Sequence, residues 1–486
     1  MTQITLLWIT LPFFIGFLLY LLPKLAPFLA LGIAVLSGGY ALQIFLASSP
    51  FALQLLDNFG VSLIIDQLSG FFILTNALVT AAVILYSWRS GKTAFFYMQI
   101  VILHGSVNAT FICADFISLY VALEVISIAA FLLITYPRTD RSIWVGLRYL
   151  FISNTAMLFY LVGVVLIYQT HHSFSFVGLR DSPPEAFALI FLGLLVKGGI
   201  FVSGLWLPLT HAESQTPVSA MLSGVVVKAG VFPLVRCALL LEEIEPIVRI
   251  LGVSTAILGV FWAIFEQDTK RTLAFSTISQ LGFILAAPEV GGFYALTHGL
   301  VKSALFLISG ILPSRKFEEL QHQPIHTPVW IALVVASFSI SGFPLLSGFG
   351  AKILTTKNLL PWQFIAMNIV TVGTTITFAK FIFLPHQKHE EKGKVKPGFW
   401  WAMILLLGGL IAANGFYYKA YTLTNLIKPL VTIGVGWLAY LLIVKNLVLK
   451  LPRAIEELEN LIGVMSVMLI LLFWIILTNF PSPMLS

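Results

Sequence analysis

The chain has 486 residues, of which 58% are hydrophobic and only 10% are charged, and its mean hydropathy is +0.96. This composition excludes an ordinary soluble globular protein, and repeated apolar runs of about 18 residues or more predict membrane-spanning helices. The runs are continuously apolar and do not alternate with polar residues, so helices are favoured over the strands of a membrane barrel.

Sixteen apolar stretches define the predicted elements in chain order. They cover residues 3–21, 25–46, 62–86, 94–112, 114–135, 145–169, 186–206, 217–240, 247–265, 272–288, 292–312, 328–356, 360–384, 399–417, 428–448 and 461–479. No stretch between them is long enough for a soluble domain, so one all-α integral membrane protein with about 14–16 transmembrane helices is predicted. Residues 1–20 lack the basic region of a cleavable signal peptide and are expected to be a retained helix.

Lysine and arginine are distributed unevenly between alternate loops, and this asymmetry predicts topology. One side holds sixteen, namely Lys24, Arg89, Lys92, Arg138, Arg141, Lys270, Arg271, Arg315, Lys316, Lys388, Lys392, Lys394, Lys396, Lys445, Lys450 and Arg453. The other side holds six, namely Arg180, Arg236, Arg249, Lys357, Lys419 and Lys428. The richer side is predicted to be cytoplasmic, which places both termini outside a cell membrane. The net charge of +7 is therefore attributed to the basic loops of the cytoplasmic side, and nucleic-acid binding is not predicted.

Two of the predicted spans are interrupted. The seventh runs through Lys197 into a polar turn at residues 211–217, and the twelfth, residues 328–356, is too long for a simple span and contains Gly342-Phe-Pro344. Glycine and proline in mid-helix free backbone groups, which neighbouring helices or a water-filled cavity must satisfy. Paired broken helices often mark the ion path of a transporter with an inverted repeat.

These breaks lie five spans apart and predict two inverted five-helix repeats, residues 94–240 and 247–384. The N-terminal helices at residues 1–93 and a C-terminal loop with extra helices at residues 385–486 flank the repeats. The polar loop at residues 386–397 is interpreted as a solvated surface, with docking of a partner subunit as the alternative.

Several kinds of site find no motif in the sequence. Cys113 and Cys237 provide neither metal-ligand spacing nor a disulfide framework, and too little cysteine is present for an iron–sulfur cluster. Glycine-rich nucleotide motifs, serine–histidine arrangements and zinc motifs do not stand out. The chain is therefore interpreted as a conduit whose driving energy comes from a gradient or from partner subunits.

Glu124 and Lys197 lie deep inside the fifth and seventh spans, where a charge is expensive. A buried lysine is the natural partner of a buried glutamate, because burial disfavours each charge and an opposite charge favours it. A change in their separation would switch Lys197 between holding and releasing a proton. The alternatives are a carboxylate that only braces two helices and a static salt bridge.

Three further buried residues are candidates for a proton relay. Lys228, in the middle of the eighth span, has no obvious acidic partner in sequence and lies too deep to snorkel. His298 and Lys302 are four residues apart in the eleventh span and share one helix face. A histidine gains or loses charge near neutral pH, which suits a relay, although a lone histidine is more often a satisfied core residue.

Lys352 follows the glycine-rich break of the twelfth span and, by the predicted topology, lies towards the outer side. This position suits a terminal proton acceptor before the exit, and snorkelling is the alternative. Lys380 and Arg148 lie near cytoplasmic span ends and are predicted to snorkel. Asp115 is predicted to cap its helix.

Several of these residues stand in longer motifs. The motifs occupy residues 115–124, 195–197, 206–208, 211–213, 216–220, 269–282, 298–302 and 342–352. With them, residues 66–357 resemble the antiporter-like membrane subunits shared by respiratory complex I and the multi-subunit Mrp-type cation/proton antiporters. A lysine at position 352, the sequence Thr-Pro-Val-Ser-Ala at 216–220 and the chain length are most similar to the D-type Mrp subunit.

The resemblance implies roles for six residues. The family's glutamate of the fifth helix, lysines of the seventh and eighth, relay pair of the eleventh and exit lysine of the twelfth correspond to Glu124, Lys197, Lys228, His298, Lys302 and Lys352. Members of the family usually have fourteen spans, so the sixteen predicted here are a departure, and the correspondence ends near residue 357.

The sequence therefore predicts a proton-translocating subunit of a multi-subunit sodium/proton or other cation/proton antiporter. Its expected partners are other membrane subunits, and its expected ions are protons with Na⁺ or K⁺. The close alternative is an antiporter-like subunit of a complex I-type NADH/quinone oxidoreductase, whose redox chemistry would lie in other subunits. An autonomous solute transporter and a structural membrane scaffold are alternatives of other classes. No catalytic, cofactor or metal site is predicted in this chain.

Overall fold

Long apolar helices dominate the computed structural model, which describes residues 2–47, 49–56, 59–180, 182–388, 395–415, 417–447, 449 and 452–479. Within these residues, twelve helices are long and apolar enough to cross a membrane, or thirteen if one bent pair counts as a span. Lys392, Lys394 and Lys450 of the predicted cytoplasmic set, and residues 389–394 of the predicted polar loop, lie outside the described residues.

The helices follow the predicted order. Those of the first half are α1 (Thr2–Leu21), α2 (Ala26–Leu46), α3 (Gln67–Tyr86), α4 (Ala94–Thr110), α5 (Phe116–Ile134), α6 (Asp140–His171), α7 (Pro184–Gly198), α8 (Leu207–Glu213), α9 (Thr216–Met221) and α10 (Val227–Leu240). The second half has α11 (Glu245–Phe265), α12 (Thr269–Ala286), α13 (Gly291–Ser309), α14 (Phe317–Leu320), α15 (Thr327–Ser341), α16 (Ser347–Lys357), α17 (Pro361–Ile382), α18 (Pro397–Gly415), α19 (Leu423–Leu442) and α20 (Leu458–Asn479).

Short elements join these helices. A π-helical segment, Leu222–Val226, connects α9 to α10. Turns of 3-10 helix lie at Phe176–Leu179, Phe201–Gly204, Pro288–Val290, Tyr418–Ala420, Val444–Asn446 and Ala454–Glu456. Strands β1 (Phe51–Leu56) and β2 (Gly60–Ile65) form an antiparallel hairpin, and β3 (Ile325–His326) pairs in parallel with β4 (His386–Gln387).

The third predicted span, residues 62–86, begins too early. Its first residues belong to β2, and α3 begins only after Asp66, whose carboxylate accepts a hydrogen bond from the Ser69 amide at 2.9 Å. The apolar side chains of the strand, Leu63 and Ile65, are buried against the protein. The strand is anchored there by the Ile64 amide, which donates to the Ile112 carbonyl at 2.8 Å. An apolar run of mixed helix and strand cannot be divided by hydropathy alone.

Asp115 fixes the hairpin to the start of α5. Its carboxylate caps the helix by accepting from the Ser118 amide at 2.7 Å, as predicted, and also accepts from the Ser62 amide of β2 at 2.8 Å. Gly60 adopts φ +112° at the hairpin turn, and a Cβ there would collide with Ile117 and crowd Asp115. Glycine is therefore required where the hairpin meets α5.

Three predicted spans are shorter, more polar or more broken than a simple membrane helix. The span at residues 94–112 is α4, which has 17 residues. The span at 272–288 is α12, which starts at Thr269 with a basic first turn and carries several hydroxyl and amide side chains. The span at 328–356 is divided between α15 and α16. With the bent pair and the twelve long helices, these account for all sixteen predicted spans.

Both predicted interruptions are confirmed, and they are built alike. The span containing α7 bends by 41° before the 3-10 turn and α8, and α15 ends five residues before α16 begins. Gly199 with φ +65° ends α7, and Gly342 with φ +87° ends α15, both in the left-handed region that glycine adopts freely. Two matching breaks are what an inverted repeat requires, and the repeat itself remains a prediction.

The centre of the bundle is shielded from lipid by outer helices. All residues of α12 and α13 are buried, and so is the whole span from Thr216 to Leu240. In contrast, α1, α2, α18, α19 and α20 expose most of their surface. Charged side chains on α10, α12 and α13 therefore face other protein helices, where polar partners can reach them.

Candidate functional site

Glu124 on α5 and Lys197 on α7 form the predicted ion pair. The Lys197 Nζ lies 3.8 Å from the Glu124 Oε1, and the two side chains are 5% and 24% exposed. Lys197 also donates to the Leu123 carbonyl at 3.1 Å and to the Ser127 hydroxyl, both on α5. Lys197 lies in the last turn of α7, where the unpaired carbonyl groups of the helix end favour a positive charge.

Polar groups continue from this pair into α6. The Ser127 and Ser153 hydroxyls are 3.1 Å apart. Ser153, Tyr149 and Lys197 line one narrow cavity between α5, α6 and α7. The ammonium group therefore has a carboxylate, a carbonyl and a pair of hydroxyls within its reach.

Lys228 is fully buried on α10, and its polar contacts come from the turn before it. Its Nζ donates to the Gly224 carbonyl at 2.6 Å and to the Ser223 carbonyl at 3.3 Å. Both residues belong to the π-helical segment, in which the wider turn changes the usual pairing of backbone groups. No acidic residue pairs with Lys228 in the part of the chain that the structure describes, as the sequence indicated.

The glycines of this region explain how closely the helices approach. A Cβ on Gly230 would collide with the backbone of Gly198, next to Lys197. A Cβ on Gly299 of α13 would meet the Gly224 carbonyl at 3.0 Å and the Lys228 Nζ at 3.6 Å. Small residues thus let α7, α10 and α13 cross at backbone contact, and they bring the lysines of neighbouring helices together.

His298 and Lys302 lie on α13 beside this crossing. The Lys302 Nζ donates to the Leu273 carbonyl at 2.8 Å and to the Ser276 hydroxyl, both on α12. The two ring nitrogens of His298 are buried and have no hydrogen-bond partner among the described residues. Lys228 and Lys302 both lie within electrostatic range of His298. The imidazole is therefore close enough to both lysines to feel their charge.

A neutral polar group joins α12, α13 and α17 one turn before His298. The Tyr294 hydroxyl donates to the Gln280 Oε1 at 2.7 Å, and the Gln280 amide donates to the Thr374 hydroxyl at 3.3 Å. The sequence reasoning missed these residues. Tyr294 lies four positions before His298 on the same helix face, and that spacing was the available signal.

Lys352 on α16 ends the row. Its Nζ has no hydrogen-bond partner in the described part of the chain and lies 5.5 Å from the Phe283 ring centroid. Phe283 stacks on Tyr294 with ring centroids 5.4 Å apart, so aromatic contacts connect the α12–α13 polar group to Lys352. Lys352 also lines an open cavity with Lys357 and Lys428.

His211 on α8 is a second buried histidine without hydrogen-bond partners on either ring nitrogen among the described residues. Its ring stacks on Phe306 with centroids 4.6 Å apart, within electrostatic range of Lys270 and Lys302. Lys270 donates to the Ser214 carbonyl at 2.8 Å and lines a large open cavity with Lys92 and other residues. The sequence placed His211 in a motif but gave it no role, because its neighbours on α12 and α13 are distant along the chain.

The prediction that Arg148 and Lys380 snorkel was wrong. The two residues are only 3% and 5% exposed. Lys380 donates to the carbonyls of Ala263 and Glu266 at 2.8 Å each, and Arg148 donates to the Glu456 carbonyl. Backbone carbonyl groups of neighbouring segments replace the water that a snorkelling side chain would reach.

The structure therefore brings the predicted residues into one row across the bundle. The row runs through Glu124, Lys197, Lys228, His298, Lys302 and Lys352. Hydroxyl, amide and carbonyl groups lie beside and between these side chains. A row of ionisable and polar groups in a buried setting can hold protons and pass them between neighbours.

Comparison with protein families gives one match over more than half of the chain. The model described as NADH:quinone oxidoreductase/Mrp antiporter, TM, matches residues 113–377. These residues include every member of the row.

Relatives come from two kinds of assembly. NADH-quinone oxidoreductase subunit N of Desulforudis audaxviator is 30% identical over 377 residues, covering 70% of this chain and 74% of the relative. The D-type subunit of the Na(+)/H(+) antiporter of Alkalihalophilus pseudofirmus is 25% identical over 470 residues, covering 86% and 94%. A chain of the membrane-bound sulfane sulfur reductase, an archaeal respiratory membrane complex, has the same fold, with a TM-score of 0.76, 21% identity and coverage of 90% and 99%.

Proposed function

Because the chain belongs to the NADH:quinone oxidoreductase/Mrp antiporter transmembrane family, we propose that it is the proton-translocating membrane subunit of a multi-subunit cation/proton antiporter. The observation that carries the proposal is that buried basic side chains, from Lys197 to Lys352, stand on neighbouring helices that contact one another. A static scaffold gains little from such charges, since buried charges are costly and weak contributors to stability.

In the proposed path, protons enter from the cytoplasm near Glu124 and Lys197. Lys197 exchanges between the carboxylate and the neutral oxygens of α5, and this exchange alters whether it holds its proton. Lys228 transfers the proton to the His298–Lys302 pair, whose imidazole lies within electrostatic range of both lysines. Each transfer occurs between groups that lie on helices in direct contact.

The path then leaves through Lys352. Gln280 and Tyr294 lie beside the His298–Lys302 pair, Tyr294 stacks on the Phe283 ring near Lys352, and their hydrogen-bonding groups can orient water or carry a proton. The cavity beside Lys352 supplies the outer exit. The two units at residues 94–240 and 247–384 are proposed as the inverted repeats that carry the inlet and the exit.

The positions of the loop residues support the proposed topology. Lys92, Lys270 and Lys396 come from three separate loops that were assigned to the cytoplasm, and they line one cavity. Lys357 and Lys428, which were assigned to the outer side, line another. Both termini are therefore proposed to lie outside a cell membrane.

A complex I-type assembly is the second candidate, and the 30% identity to a subunit N favours it. In that case NADH/quinone chemistry would lie in other subunits. The relatives are described as subunits, so partner membrane subunits are proposed in either case. Purification in mild detergent separates the two: small membrane partners indicate the antiporter, and iron–sulfur and quinone-binding subunits indicate complex I.

The direct test is proton flux in vesicles that contain the assembled complex. Addition of Na⁺ or K⁺ to vesicles with an imposed pH gradient should dissipate the gradient, and Lys197→Met should abolish this response without loss of assembly. The matched control is Lys388→Met, which removes an exposed lysine. A Lys197→Met complex with normal flux would rule out the proposed path, and flux from the chain alone would favour an autonomous transporter.

A further inference from the structure

A cluster of buried charges lies outside the proton row, where the C-terminal region meets the rest of the bundle. It contains Glu456, Arg271, Glu266 and Arg148, of which none is more than 9% exposed. Glu456 belongs to the connector, defined here as residues 452–457 before α20. The family match ends before this region, so the connector has no assigned role.

Two arginines bind Glu456, one through its carboxylate and the other through its backbone carbonyl. Its carboxylate accepts both ends of the Arg271 guanidinium, with Nη1 at 3.0 Å from Oε2 and Nη2 on Oε1. Its backbone carbonyl accepts from Arg148. Arg271 also donates through Nε to Glu266 at 2.9 Å, which fixes the plane of the guanidinium. A two-pronged arginine–carboxylate contact restricts geometry far more than a single ion pair does.

Arg271 is connected to Lys302, the third lysine of the row. It lies in the first turn of α12, and the next turn supplies the Leu273 carbonyl and the Ser276 hydroxyl that hold Lys302. A rotation or shift at the start of α12 therefore moves the two oxygens that bind the Lys302 ammonium.

Arg148 is connected in a similar way to Lys197, the first lysine of the row. The next residue on α6, Tyr149, lines the cavity around Lys197, and Ser153 contacts Ser127 at 3.1 Å. Ser127 in turn accepts a hydrogen bond from Lys197. A shift of α6 at Arg148 therefore changes the wall of the inlet.

The connector leads directly into α20, which packs beside the Lys197 site. This helix packs against α7 and α6 through one buried stripe, formed by Leu461, Met465, Met468, Leu472 and Ile476. Because α19 packs against α17, α19 lies with the second half of the protein, whereas α20 lies with the first. Glu456 binds a residue of each half, Arg148 on α6 and Arg271 on α12.

We propose that Glu456 is a positioning residue that keeps the Lys197 site and the Lys302 site in register during transport. The inference rests on the proposed function, because register matters only if a proton passes between the two sites. Buried ion networks add little net stability compared with apolar packing, and fixing one arrangement among several is their best-attested use. Glu456 does this by joining α6 to α12 through one residue.

The test is Glu456→Gln in the assembled complex, which keeps the side-chain volume and removes the charge. We expect proton flux per mole of incorporated complex to fall at least about tenfold, while the half-saturating Na⁺ concentration stays unchanged, because ions enter and leave elsewhere. Glu456→Asp keeps the charge and should restore part of the flux. Glu457→Gln, which changes the exposed neighbour, is the matched control and should be silent.

A purely structural role predicts less assembled complex but a normal rate per complex, and that result would overturn the inference. Equal losses for Glu456→Gln and Glu457→Gln would overturn it as well. If Glu456→Gln prevents assembly, Arg271→Lys provides the second variant, since it keeps the charge but cannot bind Glu456 with two prongs, and it should show the same loss of rate. If Lys197→Met and Lys302→Met transport normally, the proposed function has failed; if only the Glu456 and Arg271 variants do, the failure concerns this inference alone.

Discussion

The Lys197 ammonium lies between the Glu124 carboxylate, at 3.8 Å, and the neutral oxygens of Leu123 and Ser127, all on one helix. The Glu124 Oε1 has no hydrogen-bond partner among the described residues, so Lys197 holds this oxygen by charge and not by a hydrogen bond. The contact is longer than a hydrogen bond. A small movement of α7 would either close this pair or leave the ammonium on the neutral oxygens.

Glu124→Gln should reduce proton flux by at least about tenfold, because the amide cannot attract or accept the Lys197 proton as a carboxylate does. The variant keeps the volume and hydrogen-bonding shape of the side chain, so the complex should assemble normally. The measurement is flux per mole of complex, with Glu318→Gln on an exposed surface as the control. Undiminished flux would show that the pair only braces α5 against α7.

Tyr294→Phe should lower flux without affecting the fold, because it removes only the hydroxyl that donates to Gln280 at 2.7 Å. The ring and its stacking on Phe283 remain. Tyr440→Phe, which leaves another buried ring stacked on Phe383, controls for the loss of a tyrosine hydroxyl. Flux assays should show a reduction for the first variant alone, and equal rates for both would exclude Tyr294 from the path.

Gly230→Ala should destabilise the protein, because the new methyl group would collide with the Gly198 backbone, which cannot move aside as a side chain can. Overpacking of this kind costs about 1–3 kcal/mol. Gly408→Ala on α18 is the matched control, since nothing lies within 4 Å of its added Cβ, and it should leave stability unchanged or slightly raised. The measurement is the melting temperature of each variant in detergent. Equal melting temperatures for the two variants would mean that α7 and α10 are not in backbone contact.

The ion pair between Asp66 and Arg236 should make stability depend on acid pH. Burial of the Asp66 carboxylate opposes ionisation, but the Arg236 guanidinium and the Ser69 groups outweigh it and lower the pKa of Asp66 below its usual value. The stabilisation is therefore complete above about pH 4 and is lost as the pH falls through the folded-state pKa.

Asp66→Asn should accordingly have a lower melting temperature than the wild type at neutral pH, and the two values should converge below about pH 4. Thermal unfolding in detergent between pH 3 and pH 7 measures this, in a range set by the usual pKa of an aspartate. Parallel curves over the whole range would mean that Asp66 contributes no charge-dependent stability.

The sequence predicted the helices and charged sites because both signals are local. Apolar length identifies a span, and a lysine inside it is conspicuous whatever the packing. Gln280, Tyr294 and Thr374 were missed because neutral polar side chains are common in helices, and only the crossing of α12, α13 and α17 brings these three together.

Long-range partners account for the errors. Arg148 was predicted to snorkel from its distance to the span end, but its partner Glu456 lies 308 residues away along the chain. Residues 62–65 of β2 were taken as part of a span because this apolar strand packs against the α4–α5 connection. Neither partner is visible in local hydropathy.

Because a π-helical segment precedes Lys228, the number of residues in the segment 216–228 is critical in addition to their side-chain chemistry. A deletion of one residue from Leu222–Val226 would convert the wide turn to an ordinary one. It would remove the arrangement of the Ser223 and Gly224 carbonyls that binds the Lys228 Nζ, although every charged side chain would still be present. Variants of this protein should therefore tolerate exchanges of one apolar residue for another there far better than any change in length.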